Sequence, residues 1–240
     1  MEHCCASFFT LKRELRNATE TFALPECTRL LVTPYGVAPR PLNCLKEPSA
    51  RVNQGAHSKV ALFLGRVHPK KRPDLLIKAW RGAGVGHEWR LVIAGDGDKA
   101  YLARLRKLVR LLKLEDVIQF VGAVAGADKQ YLFQRASWFL LPSEQENFGI
   151  AVIEAIQAGC AIAVSDQVYL SDEFPAGSEI LPVRLDAWVK FMHERMPDEI
   201  WRSSQARRVS EVLLPKFDSV KVAENWMSII ETVMGKATNG

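Results

Sequence analysis

The chain has 240 residues, 48% of them hydrophobic and 25% charged, which is the composition of a globular protein with one large domain or one and a half small ones. No apolar run approaches the roughly 20 residues of a membrane-spanning helix, and the first residues lack the pattern of a signal peptide. The net charge of +5 and the pI of about 9.0 leave three partners open: nucleic acid, an anionic membrane surface or an anionic small substrate.

The sequence carries no RNA-binding signature, no zinc-ligand spacing and no helix-turn-helix pattern, so we expect no nucleic-acid partner. The five cysteines are scattered and form no CxxC pair. This usage indicates reduced thiols rather than a disulfide framework. We therefore expect a cytoplasmic protein.

The first 57 residues predict little regular structure. Residues 7–22 carry apolar side chains near helical spacing, and residues 30–32 form a short strand candidate. Residues 38–57 contain three prolines and no hydrophobic periodicity, so we interpret them as a linker.

From residue 58 onward, apolar strands alternate with amphipathic helices. Strands are predicted at residues 60–64, 89–94, 117–121, 136–141, 160–165 and 180–183. Helices are predicted from Pro73 to about residue 80 and at 102–112, 128–135, 148–158, 185–195, 198–213 and 218–234. Pro182 cannot donate to a strand ladder, which places the last strand at an edge of the sheet. The many basic residues of helix 102–112 are expected to form a solvated face.

Repeated strand–helix units predict a doubly wound parallel α/β sheet of the Rossmann-like kind, with additional C-terminal helices. We divide the chain into a remnant with a linker, 1–57, a Rossmann-like domain, 58–197, and C-terminal helices with a tail, 198–240. Ligands of such sheets bind beyond the carboxyl ends of the strands. The predicted loops at this edge are 65–72, 95–98, 122–127 and 142–149.

The turn between the strand at 136–141 and the next helix combines two opposite chemistries. A helix start offers free N–H donors and the positive end of the helix dipole, which attract phosphate. Two carboxylates, Glu146 and Glu154, lie in the same stretch and would repel phosphate. Because a carboxylate only accepts hydrogen bonds, sugar hydroxyls are its natural partners.

Four motifs carry a family resemblance. In chain order they are Gly65–Lys71, Ala94–Gly97, Phe120–Gly122 and Pro142–Ala155. In this order and spacing they resemble the C-terminal, donor-binding half of a family 4 glycosyltransferase. That family has the GT-B fold, in which two Rossmann-like domains face a cleft. The resemblance implies retaining transfer of a sugar from a nucleoside diphosphate sugar to an acceptor hydroxyl.

The resemblance also implies roles for single residues. Glu146 and Glu154 match the family's E-x7-E motif, so that Glu146 would lie beside the donor sugar and Glu154 would accept hydrogen bonds from the ribose. Arg66 and Lys71 match the pair that holds the diphosphate. Gly65, Gly122 and the backbone of Asn147, Phe148 and Gly149 complete the implied donor site. The donor is a substrate, and no cofactor or metal ion is expected.

Two departures from the family pattern stand out. Arg72 occupies a position where the family often has glycine. Residues 1–57 are also too few to supply the family's N-terminal acceptor domain, which is about one more Rossmann unit. The resemblance therefore points to a separate acceptor-domain chain as a partner, and to peripheral association with the inner face of the membrane during polysaccharide biosynthesis.

Four functions stay open from the sequence. They are one part of a split glycosyltransferase, a non-catalytic module that binds nucleotide sugars, a GT-B sugar-nucleotide epimerase, and a nucleic-acid-binding protein that uses the basic surface.

Overall fold

A computed structural model describes residues 6–22, 28–38, 49–50, 52 and 59–237. Its strands are β1 (Ala6–Phe9), β2 (Arg29–Val32), β3 (Lys59–Leu64), β4 (Trp89–Ala94), β5 (Ile118–Gly122), β6 (Ala136–Leu141), β7 (Ala161–Ser165) and β8 (Glu179–Leu181). Its α-helices are α1 (Lys12–Thr21), α2 (Pro73–Ala83), α3 (Lys99–Leu111), α4 (Gly126–Arg135), α5 (Ile150–Gln157), α6 (Leu185–Glu194), α7 (Glu199–Leu213) and α8 (Ser219–Ala237).

Six strands form one parallel sheet in the order β5-β4-β3-β6-β7-β8. The chain runs outward from β3 to β5 and then returns to the other side of β3, so the order reverses between β3 and β6. Leu64 lies opposite Ala94, and Ala94 lies opposite Gly122, so three loops leave the sheet at the same level. The predicted doubly wound parallel α/β fold is confirmed.

The sheet strands are apolar because helices cover both faces. Strands β3, β4, β6 and β7 are almost entirely buried. Helix α2 packs beside α6 and α3, whereas α5 packs beside α7, which also contacts β7. The division of the chain at residue 198 stays a prediction, and α7 packs directly on the sheet.

The N-terminal segment differs from the sequence prediction. Residues 6–9 form β1, which pairs in parallel with β2, and the helix begins only at Lys12. Phe8 is therefore a strand residue, and its ring lies 4.6 Å from the ring of Trp226 on α8. The apolar spacing that suggested one helix over 7–22 is divided between a strand and a helix. Most of the predicted linker lies outside the described residues.

Helix α7 completes the hydrogen bonding of β7 through one buried amide. Strand β8 pairs with residues 163–165 and stops short of Ile162. The fully buried side chain of Gln205 takes its place, accepting from the Ile162 N–H at 3.1 Å and donating to the Ile162 carbonyl at 2.8 Å. Gln205 thus acts as a short extension of the sheet edge.

Replacing Gln205 by Leu should lower the free energy of unfolding by about 2–5 kcal/mol, because it leaves two buried backbone groups of Ile162 without partners. Urea denaturation measures this change. Ser203→Ala, at an exposed position of the same helix, is the control and should change stability by less than about 0.5 kcal/mol. Equal stabilities for the two variants would contradict the assigned role of Gln205.

Candidate functional site

The loops after β3, β4 and β5 are joined by backbone hydrogen bonds. The Gly65 N–H donates to the Ala94 carbonyl at 3.0 Å, and the Val67 N–H donates to the Asp96 carbonyl at 2.8 Å. The Gly95 N–H in turn donates to the Gly122 carbonyl at 2.8 Å. Three of the four predicted loops therefore form one connected rim at the carboxyl edge of the sheet.

Close packing explains the glycines of the β4 turn. Gly95 has a φ of +135°, and a Cβ atom there would lie 1.8 Å from the Gly65 carbonyl oxygen. A Cβ atom at Gly97 would lie 2.0 Å from the carbonyl oxygen of Val67. Because side chains at either position would push the first loop away, the Gly-Asp-Gly turn determines where the basic loop lies.

The basic loop after β3 contacts the loop after β6 directly. The Glu144 N–H donates to the Lys70 carbonyl at 2.7 Å. The Lys71 ammonium forms an ion pair with the Glu146 carboxylate and also lies 3.3 Å from the Gln145 carbonyl oxygen. A cation and an acid that are 75 residues apart in sequence therefore meet at the carboxyl edge of the sheet.

Arg72 adopts a left-handed backbone, with a φ of +52°, between the 3-10 turn Pro69–Lys71 and helix α2. This conformation favours glycine, which accounts physically for the family's residue at this position. The side chain forms ion pairs with Glu144 at 2.7 Å and with Asp74 at 3.2 Å. Partial burial opposes ionisation of Asp74, but hydrogen bonds from Lys78 and Arg72 hold its pKa below the ordinary value.

The backbone of Glu146 is held by the loop after β7, which the sequence analysis did not include in the site. The Glu146 N–H donates to the Gln167 carbonyl at 3.1 Å, and the Tyr169 N–H donates to the Glu146 carbonyl at 2.8 Å. A polar segment directly after a buried strand was the only signal for this loop. It fixes the position of the acid that the basic loop contacts.

Helix α1 also borders the site. Arg13 donates to the Asp166 carbonyl at 2.8 Å and stacks over the ring of Tyr169, with 4.6 Å between the guanidinium carbon and the ring centre. The Asn147 amide lies 3.4 Å from a carboxylate oxygen of Glu14. The N-terminal segment therefore packs against the two loops that hold Glu146.

The start of helix α5 is open for a ligand. Gly149 precedes the helix with a φ of +72°, and no side chain caps the helix. Within the described ranges, the N–H groups of Asn147, Phe148 and Gly149 have no hydrogen-bond acceptor. The Phe148 ring is buried between Tyr35 and Phe217, at centroid distances of 5.2 and 5.3 Å, so only its backbone faces the site.

The second acid of the motif has a different cationic partner. Glu154 on α5 is only 4% exposed, and its carboxylate lies 2.5 Å from the ammonium of Lys129 on α4. Lys129 carries no signal in the sequence, because a lysine on a short helix belongs to no motif. The two acids therefore belong to two separate ion pairs, Lys71 with Glu146 and Lys129 with Glu154.

The other predicted residues lie on the rim. Arg66 is exposed and forms no ion pair with any residue that the structure describes. Gly122 adopts a φ of +75° at the end of β5, as a sharp turn requires.

Across the described parts of the chain there is no group of three or more His, Cys, Asp or Glu residues able to hold a metal ion. No described helix is long and apolar enough to cross a membrane.

Lys71, Glu146 and the start of helix α5 place anion-binding and hydroxyl-binding groups side by side at the carboxyl edge of the sheet. A cation and a helix start can hold an anion, while a carboxylate can accept hydrogen bonds from hydroxyl groups. A phosphorylated sugar or a nucleotide offers both kinds of group.

Comparisons with known proteins agree with this chemistry. The sequence model of the family "Glycosyl transferases group 1" matches residues 47–176, more than half of the chain. A D-inositol 3-phosphate glycosyltransferase of Kineococcus radiotolerans is 34% identical over 149 residues, which cover 57% of this chain and 33% of that protein. The O-antigen chain mannosyltransferase B of Escherichia coli is 26% identical over 183 residues, covering 75% of this chain and 48% of that protein.

Solved structures show the same fold. The Anabaena protein Alr3699/HepE in complex with UDP and glucose superposes with a TM-score of 0.78 at 16% identity, covering 94% of this chain and 62% of that one. A glycosyltransferase from Rickettsia africae superposes with a TM-score of 0.79 at 13% identity, covering 96% of this chain and 64% of that one. The present chain thus spans a third to two thirds of the length of these proteins. By its sequence the chain belongs to the group 1 glycosyl transferases, and its fold is that of GT-B glycosyltransferases.

Proposed function

We propose that this chain binds a nucleoside diphosphate sugar and serves as the donor-binding part of a retaining glycosyltransferase. The observation that carries the proposal is the contact between Lys71 and Glu146 beside the uncapped start of helix α5. A cation, an acid and free backbone donors at one sheet edge match the diphosphate and the sugar of such a donor. Uridine diphosphate is the first candidate, because the Anabaena structure contains UDP.

The phosphate end of the donor would lie between the basic loop and α5. Arg66 and Lys71 would offset the charge of the diphosphate, and the N–H groups of residues 147–149 would donate to its oxygens. In the free protein Lys71 is already paired with Glu146. A bound diphosphate would also contact the Lys71 ammonium. The Glu146 carboxylate could then accept a hydrogen bond from a sugar hydroxyl. No metal ion enters this proposal, since the basic side chains supply the positive charge.

The ribose would lie against Glu154. This carboxylate is almost completely buried, and Lys129 compensates its charge. The ion pair with Lys129 engages one of the two oxygens of this carboxylate. Its remaining lone pairs can then accept hydrogen bonds from the two ribose hydroxyls.

The proposed reaction breaks the bond between the sugar's anomeric carbon and the diphosphate oxygen. A new bond forms between the same carbon and the acceptor oxygen, on the same face of the sugar. The acceptor's proton passes to the departing phosphate oxygen, which Arg66 and Lys71 hold. Configuration at the anomeric carbon is retained because attack and departure use one face.

The acceptor side of the cleft would be supplied by residues beyond this sequence, on the same polypeptide or on a partner chain. The chain corresponds to about a third of the length of the Kineococcus radiotolerans relative, which favours this arrangement. A saccharide acceptor of polysaccharide biosynthesis is the candidate class, since the Escherichia coli relative builds O-antigen chains by name. A non-catalytic module that binds nucleotide sugars is the second candidate function.

Lys71→Ala and Arg66→Ala should each weaken the binding of nucleoside diphosphates by about 10- to 100-fold, because each removes a charge-assisted hydrogen bond. Isothermal calorimetry with a panel of nucleoside diphosphate sugars measures this loss. Lys70→Ala is the matched control, since it removes the same charge from the same loop at an exposed position. Equal losses for Lys70 and Lys71 would contradict the specific diphosphate contact.

Glu154→Gln should weaken the binding of a ribonucleoside diphosphate about tenfold and that of its 2′-deoxy counterpart much less. Only the ribonucleotide loses a hydrogen bond to the carboxylate. Calorimetry on both nucleotides gives the comparison. Glu224→Gln, at an exposed acid of α8, should leave both affinities unchanged. If Glu154→Gln weakens the two nucleotides equally, the ribose assignment is wrong.

Transfer should occur only when the acceptor domain is present, and the product should keep the donor's anomeric configuration. The chain is incubated with a donor from the panel and with saccharide acceptors, alone and together with the product of the neighbouring open reading frame. NMR coupling constants of the anomeric proton report the configuration. An inverted product would refute the same-face mechanism, and donor binding without transfer in either mixture would favour the non-catalytic module.

A further inference from the structure

A dense cluster of positive charge lies on helix α3 and the turn that follows it. Residues 99–113 contain six basic residues and no acidic one: Lys99, Arg104, Arg106, Lys107, Arg110 and Lys113. The whole chain carries +5 and this stretch carries +6, so the remaining residues sum to −1. This short stretch therefore carries as much positive charge as the net charge of the whole chain and more.

The basic residues of α3 form a continuous outer face. Successive helix residues turn by about 100°, which places the five cations within the helix on an arc of roughly 160°. All five are exposed, whereas Tyr101, Leu105 and Val109 on the opposite face are buried. The apolar side of the helix joins the hydrophobic core and packs beside α2, and its charges face outward.

These charges are not used inside the protein. Within the described ranges, none of the six basic residues forms an ion pair. Arg104 and Arg106 only stack over the rings of Tyr101 and Phe120, at 5.3 and 5.6 Å. Other exposed cations of the chain, such as Arg207, do pair with a neighbouring acid. The α3 face is therefore available to an anionic partner.

An exposed leucine lies inside the basic face. Leu111 is 69% exposed and falls between Lys107 and Arg104 around the helix. Cations that surround an outward apolar side chain are typical of helices that lie in a membrane interface. Single-stranded nucleic acid would instead call for an exposed aromatic side chain for stacking, and the one aromatic residue of α3, Tyr101, is buried.

We propose that the outer face of α3 docks this protein on a membrane surface rich in anionic phospholipid. The helix is about 20 Å long and would lie in the membrane plane, with its cations at the phosphate level and Leu111 among the headgroups. Its N-terminal cap, Asp98, directly follows the Gly95–Gly97 turn of the candidate site. The carboxyl edge of the sheet would thus open beside the membrane. The basic residues of α3, which the sequence predicts to face solvent, would then contact phospholipid. This membrane docking does not depend on the proposed glycosyl transfer.

The test is co-sedimentation of the chain, without nucleotide, with vesicles of phosphatidylcholine alone or mixed with phosphatidylglycerol. We expect binding to the anionic vesicles only, and loss of binding at high salt. The triple variant Lys99→Gln/Lys107→Gln/Arg110→Gln should bind about 100-fold more weakly, since each cation near the surface contributes about fivefold. Unchanged thermal melting confirms that this variant folds.

A matched triple variant, Lys190→Gln/Arg207→Gln/Lys221→Gln, removes the same charge from exposed positions on other helices. Its affinity for anionic vesicles should fall by less than about fivefold. Leu111→Ser keeps every charge and should weaken vesicle binding severalfold. The proposal is overturned if both triple variants lose binding equally, if anionic vesicles do not bind at low salt, or if an RNA oligonucleotide binds the chain more tightly than the vesicles do.

Discussion

The contact between the basic loop after β3 and the acidic loop after β6 is the constraint on which the site depends. These loops leave neighbouring strands of one sheet, and the ion pair of Lys71 with Glu146 joins them at its carboxyl edge. The glycine turn after β4 supports the basic loop from one side, and the loop after β7 holds the backbone of Glu146 from the other. Without these supports, the cation and the acid would be two unrelated surface charges.

Both acids of the E-x7-E motif are paired with lysines in the free protein. The two pairs differ in burial, because Glu146 is a quarter exposed whereas Glu154 is almost completely enclosed. A partly exposed pair can exchange its partner at little cost, whereas removing one partner of a buried pair costs much more. This difference is consistent with the proposed roles, in which Glu146 is released to contact the donor sugar and Glu154 stays fixed beside the ribose.

The basic residues of this protein cluster in two separate places. Four basic residues lie in the loop of residues 65–72, close to carboxylates and to the helix start of α5. Six lie on α3 and the turn after it, where they form no ion pair with any residue that the structure describes. Ion pairs with acids orient Lys71 and Arg72 of the first group, whereas the unpaired charges of the second group attract any anionic surface within the screening length. The net charge alone therefore says little about what the site binds.

The sequence by itself determined the parallel α/β fold, the edge position of β8 and the motif residues. These features follow from the local sequence and do not depend on tertiary contacts. They are the unbroken apolar strands, the proline next to the last strand and the fixed spacing of the motifs. Only the tertiary structure decided that Phe8 belongs to a strand, because that strand exists through its pairing with residues 29–32. It alone revealed Lys129, Gln205 and the loop of residues 166–169, since their roles depend on partners 21 to 43 residues away in sequence. Contacts at such separations leave no periodic signal in a single chain.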